Sequence, residues 1–296
     1  MKSAQNGVEP FEQDQSQAAE KREWTAIVLA GERPGGDPMA AAFDTPMKAL
    51  IRIQEKTLLD HVLQPLLDVP RIKRIIVLAQ NTETLSIADP LCLLGDDRMS
   101  LLRSGNGIAT SILDIAGTSL APWPILVTTA DNVLLTKDRV ETFLSQTGGA
   151  DIAVGVGERR IVEREFPHTK RTWLKFSDGH FSGANLFALS SPNCAGVLAK
   201  WSEVESDRKK GLKLIASFGP MLFLRALTRT ITFSAAIARV GKGFGCTARP
   251  VVLDAEAPID VDKPADLELV ERILLGRSEK SLDNELRAAT RAHLAV

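Results

Sequence analysis

The sequence has few cysteines, almost no net charge and no long apolar run, and each shortage excludes a class of protein. The three cysteines, Cys92, Cys194 and Cys246, are far apart and form no CxxC pair. A disulfide framework or a zinc site is therefore not expected, and a reducing compartment is indicated. The formal net charge of -1 argues against nucleic acid as the main partner, because binding along a phosphate backbone requires a basic surface.

Signals for secretion and for crossing a membrane are missing as well. No apolar run is long enough to span a bilayer. Residues 1–22 lack the apolar stretch of a signal peptide and are rich in Gln, Glu and Ser. We therefore expect a cytoplasmic protein with a flexible N-terminal lead-in over residues 1–22.

What is present is an ordinary globular composition, with 44% hydrophobic residues in a chain of 296. This is enough chain for a sizeable core. Neither an internal repeat nor a clear linker interrupts it, so we predict one domain over residues 23–276. A helical insertion is expected at about 205–245, and a C-terminal helix or tail at 277–296.

Short apolar runs alternate with helical patterns along the chain. The runs 25–30, 75–79, 125–129 and 151–156 predict buried strands, and apolar positions after Thr57 predict a helix between the first two. Strand, helix and strand in this order indicate a parallel sheet with crossover helices. The predicted fold class is α/β, with three layers (α/β/α) around a mostly parallel central sheet. A small antiparallel β element is expected around Gly179, a last strand at 251–253, a helix from Pro264, and a final helix over 281–294.

The loop after the first strand is rich in glycine, with Gly31, Gly35 and Gly36, and also contains Arg33 and Lys48. Small residues let backbone N–H groups approach phosphate oxygens, and basic side chains add charge. The loop is neither a GxxxxGK[ST] phosphate loop nor a GxGxxG dinucleotide fingerprint. An ordinary surface loop is the alternative interpretation.

Acidic residues follow two predicted strands. Asp131 ends the apolar run 125–129, where ligands of open α/β sheets bind, and its carboxylate is suited to a hard cation. Asp260 and Asp262 alternate along an extended segment, so we expect one to reach the site and the other to cap the helix at Pro264. For each acid alone, a turn or a helix cap is the alternative.

Two further segments carry polar groups. The basic run over 159–171, which includes Lys170 and Arg171, is a candidate clamp for an anion, with solvated loop charge as the alternative. The polar loop 104–111, with Gly107, Thr110 and Ser111, predicts contacts to a base or ribose, or a simple cap of a helix at about Ile112.

Taken in order, these motifs resemble one family. The loop 25–50 with Met47-Lys48-Ala49-Leu50, the Ala130-Asp131-Asn132 step, the segment 182–187 and the ending Ile259-Asp260-Val261-Asp262-Lys263-Pro264-Ala265-Asp266-Leu267 look like the MobA-like NTP transferases. The resemblance covers roughly residues 24–275. It implies the GT-A-type, Rossmann-like nucleotidyltransferase fold.

The resemblance also implies a reaction and a set of site residues. A nucleoside monophosphate moves from an NTP, with CTP or GTP expected, to a small phosphorylated acceptor, and pyrophosphate leaves. Lys48, Arg33 and Asp131 would be catalytic, and Asp131 and Asp260 would hold Mg²⁺. The implied nucleotide-binding residues are Leu29, Ala30, Gly31, Gly35, Gly36, Lys48, Gly107, Thr110 and Ser111. The implied acceptor-binding residues are Gly183, Asn185, Lys170 and Arg171.

Departures from the family pattern keep two rivals open. Glu32 stands where the family has a second glycine, and the usual arginine of the loop is shifted. This leaves open a catalytically altered nucleotide-binding protein on the same fold. A GT-A glycosyltransferase that uses a nucleotide-sugar is the other rival, although the strand before Asp131 ends in a single acid rather than a DxD motif.

The apolar segment 212–240 is interrupted by arginines. We interpret it as helices packed on the sheet or forming the face of a homodimer. An interfacial amphipathic helix pair that docks on a membrane is the less favoured alternative.

Overall fold

The computed structural model of the chain describes residues 22–32, 35–88, 96–105, 107–205 and 230–294. Almost all of the predicted lead-in, Arg33 of the glycine loop and most of the predicted insertion lie outside these ranges. The strands are β1 (Trp24–Leu29), β2 (Arg52–Ile53), β3 (Lys56–Thr57), β4 (Ile72–Ala79), β5 (Met99–Arg103), β6 (Ile125–Thr129), β7 (Ile152–Glu158), β8 (Leu174–Phe176), β9 (Gly179–Leu189) and β10 (Ala248–Leu253).

Helices follow most of these strands. The α-helices are α1 (Pro38–Ala42), α2 (Leu58–Leu67), α3 (Thr82–Ala88), α4 (Ile108–Ile115), α5 (Lys137–Ser145), α6 (Arg159–Glu165), α7 (Ala195–Glu205), α8 (Phe233–Gly243) and α9 (Pro264–Leu294). Short 3₁₀ turns cover Lys48–Leu50 and Pro192–Cys194. Among the residues that the structure covers, no helix combines the length and the apolar character needed to cross a membrane.

The central sheet is mixed but mostly parallel. Its strands lie in the order β10-β7-β9-β6-β1-β4-β5, with β8 paired to β9. Strand β1 runs parallel to β4 and β6, β4 to β5, and β7 to β10, whereas β9 is antiparallel to β6, β7 and β8. Strand β9 therefore runs in the opposite direction to the other strands of this sheet. The C-terminal ends of those other strands lie together along one edge of the sheet. A separate two-stranded antiparallel sheet pairs β2 with β3.

Alternating side chains of the strands build a core on each face of the sheet, because successive strand residues point to opposite sides. On one face, Val28 lies in a cluster with Leu63 of α2 and Phe143 of α5. On the other, Ile27 lies in a cluster with Ile112 of α4 and packs near α7. This arrangement confirms the predicted three-layer α/β class, with its small antiparallel element.

Local sequence explains where the helices begin. Helix α2 starts after Thr57, whose hydroxyl accepts the N–H of Asp60, while the Asp60 carboxylate accepts the N–H of Thr57. This reciprocal capping box satisfies N–H groups that the first helical turn leaves unpaired. Helix α5 starts after Thr136, whose hydroxyl accepts the N–H of Arg139 at 3.2 Å.

Some elements differ from the predictions. Helix α4 begins at Ile108 rather than near Ile112, since Gly107 already serves as its N-cap. Two predicted C-terminal helices are one, because α9 continues from Pro264 to Leu294. Gly276 lies within α9 and does not end it, since an isolated glycine costs a helix only about 1 kcal/mol. Strand β5 and helix α6 were not predicted, because their apolar positions follow neither the alternation of a strand nor the spacing of a helix over enough residues.

Candidate active site

The loops after β1 and β6 meet at the edge where the parallel strands end. Leu29 is in register with Thr129, and the N–H of Ala130 donates to the carbonyl of Leu29 at 3.0 Å. Gly31 and Asp131, the next residues on their strands, therefore lie at the same edge. The structure brings the predicted phosphate loop and the predicted metal aspartate together, as their positions after neighbouring parallel strands required.

Lys48 joins two acids at this edge. Its Nζ donates to Oδ2 of Asp131 at 2.6 Å and to Oδ1 of Asp262 at 3.0 Å. The Lys48 and Asp131 side chains are 15% and 19% exposed, so this ion pair is largely screened from solvent, whereas Asp262 is 46% exposed. Burial alone lowers the pKa of Lys48, but the two carboxylates outweigh it and raise that pKa above its ordinary value.

The end of β6 is held in place by hydrogen bonds that the sequence analysis missed. The Thr129 hydroxyl donates to Oδ1 of Asp131 at 2.5 Å, so both oxygens of this carboxylate have a donor. The buried Asn132 amide donates to the Thr128 hydroxyl at 3.1 Å and to the carbonyl of Ala184 at 3.2 Å. The Asn132 contact ties the loop after β6 to β9. A polar residue next to the strand-end acid was the signal that could have found it.

Asp260 lies among charges of both signs. Its carboxylate accepts from the Arg171 guanidinium and from Nδ2 of Asn185, the latter at 2.9 Å. Burial, then the negative charge of Asp262, and further that of Asp131 raise the pKa of Asp260 to about 6, against the opposing effect of Arg171. The backbone N–H of Val261, the residue after Asp260, donates to the carbonyl of Asp131, so the two predicted metal acids lie on adjoining segments.

A local irregularity of β9 aims Asn185 at Asp260. Asn185 has a φ of 48°, in the left-handed region, and the register of β9 against β7 shifts there, between Val154 and Val156. A bulge of this kind redirects a side chain out of the regular alternation. Strained backbone at such a position is found at functional sites more often than elsewhere.

The Asp260–Asp262 segment differs in one respect from the prediction that one acid reaches the site and the other caps a helix. The N–H of Val261 donates to the carbonyl of Asp131 at 3.1 Å, so the segment runs alongside the loop after β6. Asp260 and Asp262 both turn toward this region, while the cap of α9 is made by Asp266. Its Oδ2 accepts the N–H groups of Asp262 and Lys263 at 3.2 and 3.0 Å. The extended segment bends at this turn, so strict alternation does not hold.

The residues at this edge are compatible with Mg²⁺. Within the described ranges, no group of three or more His, Cys, Asp or Glu residues is placed to hold a metal ion. Mg²⁺ in phosphate-transferring sites uses one or two carboxylates together with substrate oxygens and water, so a larger protein cage is not required. Burial first, and then the negative charges of Asp262 and Asp131, raise the pKa of Asp260, and a divalent cation beside these acids would offset the repulsion between them.

The glycine loop is open to solvent and has the backbone that glycine allows. Gly35 and Gly36 have φ values of 95° and 90°, which residues other than glycine adopt only with backbone strain. Next to Gly31, the Glu32 N–H donates to Oε1 of Gln80 at 2.7 Å, which anchors the loop to the end of β4. Burial, followed by the charge of Asp37, raises the pKa of Glu32.

The predicted base-contacting residues make contacts within the protein. The Ser111 hydroxyl donates to the carbonyl of Gly107 at 2.6 Å and accepts the N–H of Gly105 at 2.9 Å. The Thr110 hydroxyl lies 2.7 Å from that of Ser202, at the contact between α4 and α7. These bonds close the loop and connect α4 to α7, and Gly107, the N-cap residue of α4, has no side chain that could cap its first turn.

Some of the predicted acceptor-side residues are exposed, and others are already bound to side chains of the protein. Gly183 is exposed, and a Cβ built on it would meet no atom within 4 Å. Lys170 is exposed, whereas the buried Arg171 guanidinium also donates to Asp266 at 2.9 Å and so is held by acids. The rest of the basic run lies on α6, with Arg159 paired to Glu163 at 2.7 Å. Only part of the predicted anion clamp therefore has free charge in the described structure.

Comparisons with known proteins agree with this arrangement. The model of the MobA-like NTP transferase domain matches residues 26–220. A hypothetical transferase from Thermus thermophilus is 26% identical, with a TM-score of 0.68 over 83% of this chain and 99% of that one. No curated protein matches the chain in sequence.

Two further solved structures share the fold at lower identity. CMP:2-keto-3-deoxy-manno-octonic acid synthetase complexed with CTP is 14% identical, with a TM-score of 0.56 over 86% of this chain and 99% of that one. The 4-diphosphocytidyl-2C-methyl-D-erythritol synthase from Anaerococcus prevotii is 10% identical, with a TM-score of 0.52 over 88% of this chain and 99% of that one.

Proposed function

We propose that this chain, since it belongs to the MobA-like NTP transferase family, transfers a nucleoside monophosphate from an NTP to a small phosphorylated acceptor and releases pyrophosphate. The observation that carries this proposal is the position of Lys48. Its ammonium group is held by Asp131 and Asp262 at the sheet edge where the glycine loop begins. This is where the family would need a cation against the phosphates of an NTP. On this proposal, residues 23–276 form the transferase domain.

The proposed reaction is a displacement at the α-phosphorus. An oxygen of the acceptor forms the new P–O bond, the bond from the α-phosphorus to the oxygen that bridges to the β-phosphate breaks, and that oxygen leaves with pyrophosphate. The protein's share is positioning and charge neutralisation. Backbone N–H groups from Gly31 to Gly36, after the strand end at Leu29 and Ala30, would cradle the triphosphate, and Lys48 would balance charge that develops on the leaving group.

Asp131 and Asp260 are the residues that would hold Mg²⁺ in this proposal. The ion would supply charge neutralisation to the phosphate oxygens. Thr129 and Asn132 would keep Asp131 in position through the hydrogen bonds described above. Asn185 would do the same for Asp260, while Gly183 leaves space beside them on the acceptor side.

CTP and GTP are the nucleotides to test first. One of the solved structures that share the fold is a synthetase complexed with CTP, which supports CTP as the first choice. Gly107, Thr110 and Ser111 are the base-side residues proposed from the family. They would shape the loop 104–111, and that loop would contact the base or the ribose. Arg33, the remaining proposed catalytic residue, lies outside the described residues.

A pyrophosphate-release screen tests the proposal. The full-length chain is incubated with each of the four common NTPs, Mg²⁺ and a panel of sugar phosphates, polyol phosphates and phosphorylated acids, and the Asp131→Ala variant serves as the site-directed blank. Release that depends on both an NTP and an acceptor is the expected result. Nucleotide binding without release across the panel would favour the non-catalytic rival, and sugar transfer from a nucleotide-sugar would favour the glycosyltransferase.

A further inference from the structure

A cavity of about 540 Å³ lies beside the acidic edge, between the segment that follows α6 and the first turns of α9. One wall is formed by residues 165–170 and the other by residues 263–273. Asp266 belongs to the second wall and shares Arg171 with Asp260. The cavity is therefore adjacent to the candidate active site but is lined by residues that the proposed chemistry leaves largely unused.

The rim of this cavity carries basic side chains whose charge is not compensated. Lys170, Lys263 and Arg272 line it, and all three are exposed. Within the described part of the chain, none of the three takes part in an ion pair. By contrast, Arg171, next in sequence to Lys170, pairs with the carboxylates of Asp260 and Asp266. Free cations that converge on one cavity attract an anion.

The acids of the cavity do not cancel this charge. Asp266 is committed to Arg171 and to the N–H groups that begin α9, and Glu165 pairs with Arg164 at 3.7 Å. Glu268 is the remaining acid among the lining residues. Cationic groups thus outnumber the free carboxylates around the opening, which favours a ligand of negative charge.

The floor of the cavity is apolar. Phe166, Leu269 and Ile273 line it and pack, partly exposed, against the cluster of buried side chains that contains Ile259 and Val270.

We infer that this cavity binds a small organic phosphate, with the phosphate on the rim formed by Lys170, Lys263 and Arg272 and the carbon skeleton on the apolar floor. Resting on the proposed function, the organic phosphate is the acceptor rather than the NTP, since the cavity lies across Asp260 and Arg171 from Lys48. Lys263 and Arg272 thereby become acceptor-specificity residues. An apolar floor under a few convergent polar groups is the usual construction of a small-molecule site.

Phenyl phosphate is a suitable probe because it combines a phosphate with an apolar ring. Its affinity is measured by isothermal titration calorimetry for the full-length chain and for the Lys263→Gln and Arg272→Gln variants. We expect each variant to weaken binding about tenfold, as for loss of a hydrogen bond between charged groups, and inorganic phosphate to bind more weakly than phenyl phosphate. Lys175→Gln, an exposed lysine of β8 outside the cavity, is the matched control and should bind as the unaltered chain does.

The outcomes separate this inference from the proposed function. Equal binding by all variants, or no binding by the unaltered chain, would overturn the cavity assignment even if pyrophosphate release is found. If the variants weaken phenyl phosphate binding but no acceptor supports release, the cavity assignment stands and the proposed activity does not. With an active acceptor, its KM should rise about tenfold in the cavity variants while the KM for NTP stays within about twofold. A rise in the KM for NTP instead would contradict the assignment to the acceptor.

Discussion

Two aspartates at opposite edges of the sheet, Asp151 and Asp260, show how differently one residue type is used in this molecule. Asp151 precedes β7 at the edge where the parallel strands begin. Its Oδ2 accepts the N–H and the hydroxyl of Thr247, both at 2.8 Å, and its Oδ1 accepts from the hydroxyl of Ser191 and the amide of Asn193. The Ser191 hydroxyl, then the Thr247 N–H, lowers the pKa of Asp151 to about 2.

Asp260, at the other edge, has the opposite shift. Burial and neighbouring acids raise its pKa to about 6, although Arg171 and Asn185 both donate to it. Neutral donors surround the carboxylate of Asp151, where they stabilise its negative charge and connect β7 to β10. The acids around Asp260, by contrast, repel each other. The first arrangement is complete within the protein, whereas on the proposed function a bound cation would stabilise the second. An acid whose pKa is raised by burial and by neighbouring acids is a candidate for a functional site.

The largest effect that tests this contrast is expected for Asp131→Ala. Removing this carboxylate takes away one of the two acidic partners of Lys48 and one proposed Mg²⁺ ligand, so turnover should fall by about 10³-fold or more while the protein stays folded. Steady-state pyrophosphate release and thermal unfolding measure the two properties. Asp97→Asn, an exposed acid near the start of β5, is the control and should keep normal turnover. A near-normal rate for Asp131→Ala would remove Asp131 from the site.

The next effect is expected for Lys48→Ala, with a loss of turnover of about 10²–10³-fold, as for removal of one preorganised charge-stabilising group. The loss should appear in kcat as well as in kcat/KM, because the charge that Lys48 balances develops during the reaction. Lys73→Ala removes an exposed lysine of β4 and provides the control. An unchanged kcat for Lys48→Ala would contradict its proposed role.

At the opposite edge, Asp151→Asn should change stability and leave turnover unaffected. The folded-state pKa of about 2 lies below the ordinary value, so the charged carboxylate stabilises the fold above about pH 4, and this stabilisation is lost as the pH falls toward 2. At pH 7 the variant should be less stable by about 1–2 kcal/mol, since hydrogen bonds to a charged acceptor are lost. The difference from the unaltered chain should shrink toward pH 2. Denaturant unfolding at pH 7 and pH 3 measures this, and a gap that widens at low pH would refute the assignment.

The smallest effect is expected for Gly183→Ala at the site edge. The added methyl group meets no protein atom within 4 Å, so the free energy of unfolding should change by less than about 0.5 kcal/mol. On the acceptor side of the site, the same methyl group occupies space meant for substrate, and the KM of the acceptor should rise about tenfold. An unchanged acceptor KM would show that substrate does not approach β9 at this residue.

Much of this architecture was readable from local patterns. Apolar runs located β1, β4 and β6, and the apolar positions after Thr57 located α2. The alternation of strands and helices predicted the three layers. Strand β5 was missed because it lies at the end of the sheet and is half exposed, so its residues show no sustained apolar run. The prediction of two C-terminal helices missed the continuity of α9, which runs through Gly276 to Leu294.

The order of residues along the chain also placed Gly31 and Asp131 at strand ends, and hence at one edge, since parallel strands all finish on the same side. It did not decide which charge would pair with which. Lys48 meets Asp131 and Asp262 across 83 and 214 residues, and Arg171 meets Asp260 across 89. Those partners depend on where distant segments cross the sheet edge, on the bulge at Asn185 and on the bend before α9. Such features come from packing of the whole chain, and no local propensity encodes them.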